Sequence, residues 1–194
     1  MFTLFDIDPV MPTGFSYHPN FISVEEEIGL LAFIAAMQLQ PMKFHQYEAR
    51  RRVAGFGKGW SFTEQQIKEG TEIPGDFTFL ITRIAEHLQV DEKEFVQLLI
   101  TEYPVGAVIN WHRDAPPFDV IAGISLKADC NFKMRPQEKT KQTRSATLSL
   151  QVRRRSLYCM RGEAKTGWQH CTAPLKEVRY SLTFRTLKAG SLMK

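Results

Sequence analysis

The stretch QLLITEYPVGAVINWHRDAPPFDVIAGISLK (residues 97–127) contains three short runs of apolar and β-branched residues, separated by segments with proline or glycine. Runs of this length between turn residues are typical of strands in a β-sandwich or barrel. Four similar runs follow, namely CNFKMR (130–135), ATLSLQV (146–152), SLYCM (156–160) and VRYSLTFRT (178–186). The second half of the chain therefore predicts a β-rich core of the jelly-roll type.

The first half of the chain favours helices instead. In FISVEEEIGLLAFIAAMQLQ (21–40), Ser23 and Glu26 have the spacing of a capping box. The apolar residues that follow at helical spacing are Ile28, Leu31, Ile34 and Ala35. A second helix is predicted over DFTFLITRIAEHLQ (76–89), and its expected buried residues are Phe77, Leu80, Ile81, Ile84 and Leu88. Helices followed by strands predict an α+β fold, with the N-terminal helices packed on the jelly-roll core.

Between the two helices lies KFHQYEARRRVAGFGKGWSFTE (43–64), which is rich in glycine, arginine and aromatic residues. Its segment GFGKGW (55–60) cannot form a regular helix, so we expect short strands and turns in a flexible flap. The whole chain, 1–194, is expected to be one domain, with the jelly-roll core over about 95–187.

The amino-acid composition indicates in which cellular compartment the protein works and which partners it could bind. The three cysteines form no CxxC pair, which argues against a disulfide framework or a zinc ribbon and favours the cytoplasm. The sequence has neither the pattern of a signal peptide nor an apolar run of about 20 residues. The net charge is only +4, but RRR occurs at 50–52 and again at 153–155. Such patches suit a phosphate backbone, and a merely solvated surface explains them equally well.

The predicted last strand, RYSLTFR (179–185), alternates between an apolar and a polar face. The residues of the polar face are Arg179, Ser181, Thr183 and Arg185. This face could belong to an edge strand in water. Alternatively, it could line a cavity that holds an anion, because a guanidinium stays charged and binds a carboxylate in a bidentate manner.

His112 and Asp114 in HRD are two residues apart, so on a strand both side chains point the same way and could reach one metal. Such a pair is common by chance and could simply lie on the surface. A second histidine, His170, lies in the turn-rich segment GWQHCTAPL (167–175), nine residues before Arg179. Two histidines and one carboxylate are the ligand set of non-haem Fe(II) oxygenases.

These motifs in this order, with ITEYPVGAVINWH (100–112) before them, resemble the AlkB family of Fe(II)- and 2-oxoglutarate-dependent dioxygenases. The resemblance covers most of the chain and implies a double-stranded β-helix, in agreement with the strands counted above. The iron ligands that it implies are His112, Asp114 and His170. The residues that it implies for 2-oxoglutarate are Tyr103, Arg179, Ser181 and Arg185. Of these, Arg179 would pair with the distal carboxylate, Tyr103 would add a phenol hydrogen bond, and Arg185 would act near the other carboxylate.

The flap matches the nucleotide-recognition lid of that family. By this resemblance Phe56 and Trp60 are candidates for stacking on a base, and Arg51 and Arg52 for contacting phosphate. Both aromatic residues could equally be core residues.

Some positions depart from the family pattern. Base-repairing members usually have asparagine where this chain has Thr101 and Ser181, and an acidic residue soon after the HxD motif. Here residues 115–117 are APP, and the next acidic residue is Asp119. These departures leave the expected iron and 2-oxoglutarate sites intact but weaken the assignment of the substrate.

The resemblance implies a monomeric enzyme that uses 2-oxoglutarate and O2 for oxidative dealkylation of N-alkylated bases in DNA or RNA, in the manner of DNA repair. An alkylated base within a duplex would have to be flipped out to reach the iron. A methylated protein side chain or a modified tRNA base is the alternative substrate. Non-catalytic binding of a metal or of nucleic acid is a third interpretation, disfavoured because the ligand set and Arg179 are complete.

Overall fold

The computed structural model of the protein describes residues 10–44 and 47–191, including all their side chains except those of residues 43, 44, 47 and 48. The strands are β1 (Phe15–His18), β2 (Gln40–Phe44), β3 (Tyr47–Gly57), β4 (Gly59–Ser61), β5 (Gln66–Lys68), β6 (Phe95–Tyr103), β7 (Ile109–His112), β8 (Phe118–Leu126), β9 (Cys130–Pro136), β10 (Leu148–Val152), β11 (Leu157–Met160), β12 (Trp168–Thr172) and β13 (Arg179–Leu187). The α-helices are α1 (Val24–Ala35), α2 (Thr78–Leu88) and α3 (Gly162–Thr166), and short 3-10 turns cover Gly75–Phe77, Glu92–Glu94 and Lys139–Lys141.

Most of the strands form two antiparallel sheets. The larger sheet has seven strands in the order β1-β11-β8-β13-β6-β3-β2, and the smaller has four in the order β10-β9-β12-β7. Strands β4 and β5 form a separate two-stranded ribbon. This arrangement confirms the expected α+β fold with a jelly-roll core.

Two apolar cores lie on opposite faces of the larger sheet. One core joins the helices to the sheet, and its largest residues include Ile34, Phe77, Leu80, Ile84, Leu98 and Phe184. The other joins the larger sheet to the smaller one, and its members include Phe118, Ile121, Phe132, Met134, Leu150 and Tyr158. The helices therefore cover one face of the larger sheet, and the smaller sheet covers the other.

Strand β13 has the predicted alternation, but it lies at the centre of the larger sheet, between β8 and β6. Leu182 and Phe184 are fully buried in the core beneath the helices. Thr183 and Arg185 line a cavity on the opposite face. The interpretation of RYSLTFR as an edge strand is therefore wrong, and the interpretation in which its polar face lines a cavity is confirmed.

Helix α1 begins with the predicted capping box of Ser23 and Glu26. Its buried face differs from the prediction, because Ile28 is 62% exposed and Ala35 is also exposed. The buried residues are Glu27, Leu30 and Ile34. Glu27 can be buried because its carboxylate accepts hydrogen bonds from Arg154 and from the Lys127 amide. Apolar periodicity alone could not predict an ion pair with a residue 127 positions away.

Helix α2 agrees with the prediction, since Leu80, Ile84 and Leu88 are buried and Ile81 packs against the same core. The structure of the flap differs from what was predicted for it. The strand β3 is eleven residues long and pairs with β6 over Arg52–Gly57, and β2 ends at Phe44, so more than half of the predicted flap belongs to the larger sheet. None of the helices in residues 10–44 and 47–191 is both long and apolar enough to cross a membrane.

Candidate active site

The three predicted metal ligands line one cavity in the structure. His112 ends β7, Asp114 follows two residues later, and His170 lies on β12, directly opposite His112 in the paired strands. The ring centroids of the two histidines are 4.2 Å apart. Asp114 Oδ2 lies 3.7 Å from His170 Nε2. His170 was expected in a turn. The strand β12 was missed, although its pairing with β7 is what brings His170 to the HxD motif.

The hydrogen bonds of His112 and Asp114 leave one atom of each side chain available to bind a metal. His112 Nδ1 donates to the Asn110 carbonyl oxygen at 2.8 Å, which leaves the lone pair of its Nε2 available. Asp114 Oδ1 accepts hydrogen bonds from Arg185, which leaves Oδ2 facing His170. Their separation of 3.7 Å is too long for a hydrogen bond, but two metal–ligand bonds of about 2.1 Å can span it.

The protonation states also suit a metal. Burial raises the pKa of the Asp114 carboxyl, but Arg185, followed by His170 and His112, outweighs it and brings the pKa down to about 2. Burial, followed by the neighbouring His112, lowers the pKa of His170 to about 3. At neutral pH the site therefore presents one carboxylate and a neutral imidazole at His170, the forms that bind metal. The donor set fits Fe(II) with open positions for further ligands.

Arg185 holds the Asp114 carboxylate in place. Its Nε and Nη2 donate to Asp114 Oδ1 at 3.1 and 2.8 Å, and its Nη1 donates to Gln97 Oε1 at 2.7 Å. Three of its five N–H groups are thus used within the protein, and the other two remain available for a co-substrate. The sequence placed Arg185 near 2-oxoglutarate. It did not predict the contact with Asp114 or the role of Gln97 on β6.

Arg179 is a buried cation that lacks a countercharge among the described residues. It is 3% exposed, its Nε donates to Ser125 Oγ at 2.8 Å, and none of the carboxylates among the described side chains lies within ion-pair distance of it. The Tyr103 ring lies 5.3 Å from its guanidinium carbon. Burying a charge without a partner is costly, and arginine cannot escape that cost by losing its proton. An anion such as a carboxylate would supply the missing partner, so the surroundings of Arg179 suit a carboxylate of 2-oxoglutarate.

Tyr158, which the sequence analysis did not single out, lies beside Arg179 and Ser181 and interacts with both. Burial raises the pKa of its phenol to about 12, so it stays neutral and can donate a hydrogen bond. The Tyr158 ring lies over Gly123 on the paired strand, where an added Cβ would come within 2.2 Å of it. Gly123 was the available signal, since a lone glycine in a strand often marks a close approach by another group.

A cavity of about 820 Å³ connects the candidate metal ligands with Tyr103, Tyr158 and part of the flap. It is lined at one end by His112, Asp114, His170 and Arg185, and elsewhere by Tyr103, Tyr158, Arg50, Arg51, Trp60, Trp111 and Arg113. Trp60 packs against the core between the sheets. Its Nε1–H is buried and has no acceptor among the described residues. Arg51 and Trp60, two of the predicted substrate residues, therefore lie at the same cavity as the candidate metal ligands.

Phe56 and Arg52, the other two predicted substrate residues, do not line this cavity. Residues opposite each other on paired strands share a face of the sheet. Phe56 lies opposite Leu98 and packs against the core beneath the helices. Arg52 lies opposite Glu102 and forms a bidentate ion pair with it. The structure therefore does not bring these two residues to the cavity, because both point to the helix side of the larger sheet.

Comparison with known proteins is consistent with this geometry. Residues 14–185 match the sequence model of the 2OG-Fe(II) oxygenase superfamily. No curated protein matches the chain. The fold is similar to the structure of OsALKBH1, with a TM-score of 0.70 and 11% identity, over 92% of this chain and 99% of that one. It is also similar to a prolyl-4-hydroxylase from Pseudomonas putida, with a TM-score of 0.61 and 15% identity, over 90% of this chain and 93% of the other.

These matches confirm the expected AlkB-like oxygenase fold. The two similar structures are less than 25% identical to this chain in sequence, so they show only that the fold is shared. The superfamily match covers most of the chain and therefore shows the family. The protein belongs to the 2-oxoglutarate–Fe(II) oxygenase superfamily and is a dioxygenase with Fe(II) as its cofactor and 2-oxoglutarate as its co-substrate.

Proposed function

We propose that the protein oxidatively dealkylates N-alkylated bases in DNA or RNA, with His112, Asp114 and His170 as the Fe(II) ligands. One observation carries the proposal. The cavity that is lined by these three residues is also lined by Arg51 and Trp60 of the flap. A base held against Trp60 would therefore share one cavity with the metal.

We propose that the co-substrate binds through Arg179, Tyr103, Ser181 and Arg185, with Tyr158 as an additional donor. The support for Arg179 is its burial without a countercharge among the described residues. Ser181 is 1% exposed and Tyr103 is 6% exposed, and both lie opposite partners on neighbouring strands of the larger sheet. Side chains fixed in this way lose little conformational freedom when they bind a ligand.

Fe(II) with 2-oxoglutarate and O2 would supply the oxidation of the C–H bond next to the base nitrogen, after which the alkyl group leaves as an aldehyde. The protein's own residues orient that bond and keep water away from it. Phe118, Ile121 and Met160 form apolar walls of the cavity beside the metal ligands. Arg185 keeps the Asp114 carboxylate in a fixed position through two hydrogen bonds.

The flap provides two of the contacts that a single-stranded or flipped nucleotide needs. Stacking of a base on an aromatic side chain contributes about 1–3 kcal/mol, and we assign this role to Trp60, which lines the cavity. Arg50 and Arg51 line the same cavity and could contact the flanking phosphates. Since Cys130, Cys159 and Cys171 are all free thiols, we also propose a reducing, cytoplasmic location and a role in nucleic-acid repair.

The test is succinate formation by the Fe(II)-loaded protein in the presence of a panel of methylated oligonucleotides, DNA and RNA, including modified tRNA fragments. We expect at least one methylated strand to raise succinate formation well above the uncoupled rate and to lose its methyl group, as seen by mass spectrometry. Unmethylated strands of the same sequence are the control.

A second candidate is oxidation of a protein side chain, and the likeness to the Pseudomonas putida prolyl-4-hydroxylase is the observation that favours it. The same assay should therefore include methylated and proline-containing peptides. Stimulation by a peptide and by none of the oligonucleotides would overturn the proposed function in favour of this candidate.

A further inference from the structure

We infer that the alkylated base accepted by this cavity is electrically neutral and that arginines at the cavity select against cationic bases. This inference rests on the proposed function, since it concerns the base that such an enzyme would take. Arg50, Arg51 and Arg113 all line the cavity that contains the candidate metal ligands. Arg50 and Arg113 are exposed, and Arg51 is partly buried.

None of these three arginines is neutralised by a carboxylate among the described side chains. Arg113 Nη1 donates to the carbonyl oxygen of Thr166, and Arg51 Nε donates to the Met42 sulfur. Arg50 has no ion pair in the described part of the chain. Their charges are therefore directed at solvent or at whatever occupies the cavity.

The cavity has little negative charge to offset them. Asp114 is the single carboxylate among its described lining residues, and it is bonded to Arg185. The neighbouring Glu102 is not available, because on the opposite face of the sheet it pairs with Arg52 and accepts a hydrogen bond from the Tyr180 hydroxyl. A base with a positive charge would find no acidic partner within the described residues that line the cavity.

With Fe(II) and 2-oxoglutarate bound, the site would also have a net positive charge. Fe(II) carries two positive charges and 2-oxoglutarate two negative ones, so these cancel. The one negative charge of Asp114 is then outnumbered by the positive charges of Arg179 and Arg185. The three further arginines add to this excess of positive charge. The phosphates of a bound strand offset part of this excess equally for a neutral and a cationic base, and the remaining positive charge raises the free energy of the cationic base in the cavity.

A matched pair of substrates isolates the charge of the base. N3-methylthymine is neutral and N3-methylcytosine is cationic at pH 7, and both carry the methyl group at the same ring position. Each is placed in the same single-stranded sequence, so the phosphate contacts are identical. Binding is measured by fluorescence anisotropy without O2, in the presence of Fe(II) and 2-oxoglutarate, and demethylation is measured in air.

We expect the neutral strand to be preferred at least tenfold in both measurements, which corresponds to about 1.4 kcal/mol. Arg51→Gln removes one charge while keeping a polar side chain, so it should reduce the preference severalfold. Arg144→Gln is the matched control, because Arg144 is exposed and does not line the cavity, and it should leave the preference unchanged.

The possible failures are distinguishable. Equal or better use of the cationic strand would overturn this inference and leave the proposed function standing. An unchanged preference in Arg51→Gln, and likewise in Arg50→Gln and Arg113→Gln, would overturn the role given to the arginines. Uncoupled 2-oxoglutarate turnover with no binding or demethylation of either strand or of the wider panel would overturn the proposed function, and this inference with it.

Discussion

Strands β13 and β3 lie on either side of β6 in the larger sheet, and both carry arginines, but the two strands use them differently. On β13, Arg179 and Arg185 are six residues apart, share the cavity face, and are held by Ser125 and Asp114. On β3, Arg50 and Arg51 line the cavity while Arg52 pairs with Glu102 on the other face. The central strand concentrates its positive charge at one site, and the peripheral strand divides it between two faces.

The difference follows from burial. Both faces of β13 are covered, one by the helical core and one by the smaller sheet, so a charged side chain there must meet a partner or a ligand. Arg52 on β3 has a side chain that is 52% exposed, and water can solvate its charge. We therefore expect substitutions on or near β13 to affect the chemistry of the enzyme, and substitutions on β3 to affect the binding of its substrate.

The largest effect is expected from Asp114→Ala. Removing this carboxylate takes away a metal ligand and leaves Arg185 without its partner, so turnover of 2-oxoglutarate should fall at least a hundredfold and bound iron should be lost. Succinate formation and metal content of the purified protein, loaded anaerobically with Fe(II), measure the two effects. Zinc or manganese in a sample purified in air would not contradict the assignment, since the ligands do not exclude them.

Asp119→Ala is the matched control, because Asp119 is an exposed aspartate five residues along the chain. It should keep its iron and its uncoupled turnover. Normal turnover in Asp114→Ala would show that the three converging side chains are not the iron ligands.

Next in size is the effect of Arg179→Lys. Lysine keeps the charge but loses the fork of N–H groups, so the KM for 2-oxoglutarate should rise at least tenfold while the protein stays folded. The same change on β3, Arg52→Lys, should leave this KM unaltered, because Arg52 faces Glu102 on the opposite side of the sheet. An equal KM in both variants would place the carboxylate anchor elsewhere, with Arg185 as the next candidate.

The same contrast explains what the sequence could predict. The iron-ligand candidates and the arginines of β13 were found because HxD and RYSLTFR are local patterns, and a strand covered on both faces obeys strict alternation. The flap was harder to interpret. Three consecutive arginines give no hint of which one faces the cavity, and the pairing of Phe56 with Leu98 is a contact between distant parts of the chain.

The residues that contact Arg179 and Arg185 could not be predicted from the sequence either. Ser125 and Gln97 reach Arg179 and Arg185 because β8 and β6 flank β13 in the larger sheet, and Tyr158 lies near Arg179 because β11 is the next strand beyond β8. The register of two distant strands depends on which face of each is buried, and this is decided only when the strands pack together in the sheet. The segment around His170 illustrates this, since it was expected to be a turn and is a strand paired with β7 and β9.

A third prediction tests the far side of β13, where β8 meets β11. Gly123→Ala should push the Tyr158 ring away from its position and crowd the core, with a loss of about 1–3 kcal/mol in the free energy of unfolding. The affinity for 2-oxoglutarate should also fall, because Tyr158 neighbours Arg179. Chemical denaturation and isothermal titration calorimetry with 2-oxoglutarate measure these effects.

Gly29→Ala provides the comparison for that variant. Gly29 lies in α1, and a Cβ added there would meet nothing within 4 Å, so the change should stabilise the protein by up to about 1 kcal/mol. Unaltered 2-oxoglutarate affinity in Gly123→Ala, at normal stability, would remove Tyr158 from the co-substrate site.

The smallest effect is expected on β3, from the double variant Arg50→Ala with Arg51→Ala. Both side chains line the cavity, so their removal should weaken binding of a methylated single strand severalfold. The salt dependence of binding should also flatten, with a slope smaller by about one for each phosphate that the variant no longer binds. Uncoupled 2-oxoglutarate turnover should persist, because the candidate iron ligands and Arg179 lie on other strands or in the segment after β7.

The single variant Arg52→Ala is the control on the same strand. It should bind the methylated strand like the parent at every salt concentration, because Arg52 points to the helix side of the sheet and pairs with Glu102 there. If Arg52→Ala weakens binding as much as the double variant does, the two faces of β3 do not differ in function, and general positive charge rather than the cavity attracts the strand. If neither variant changes binding, the nucleic-acid proposal loses the support of the flap, and a peptide becomes the better candidate substrate.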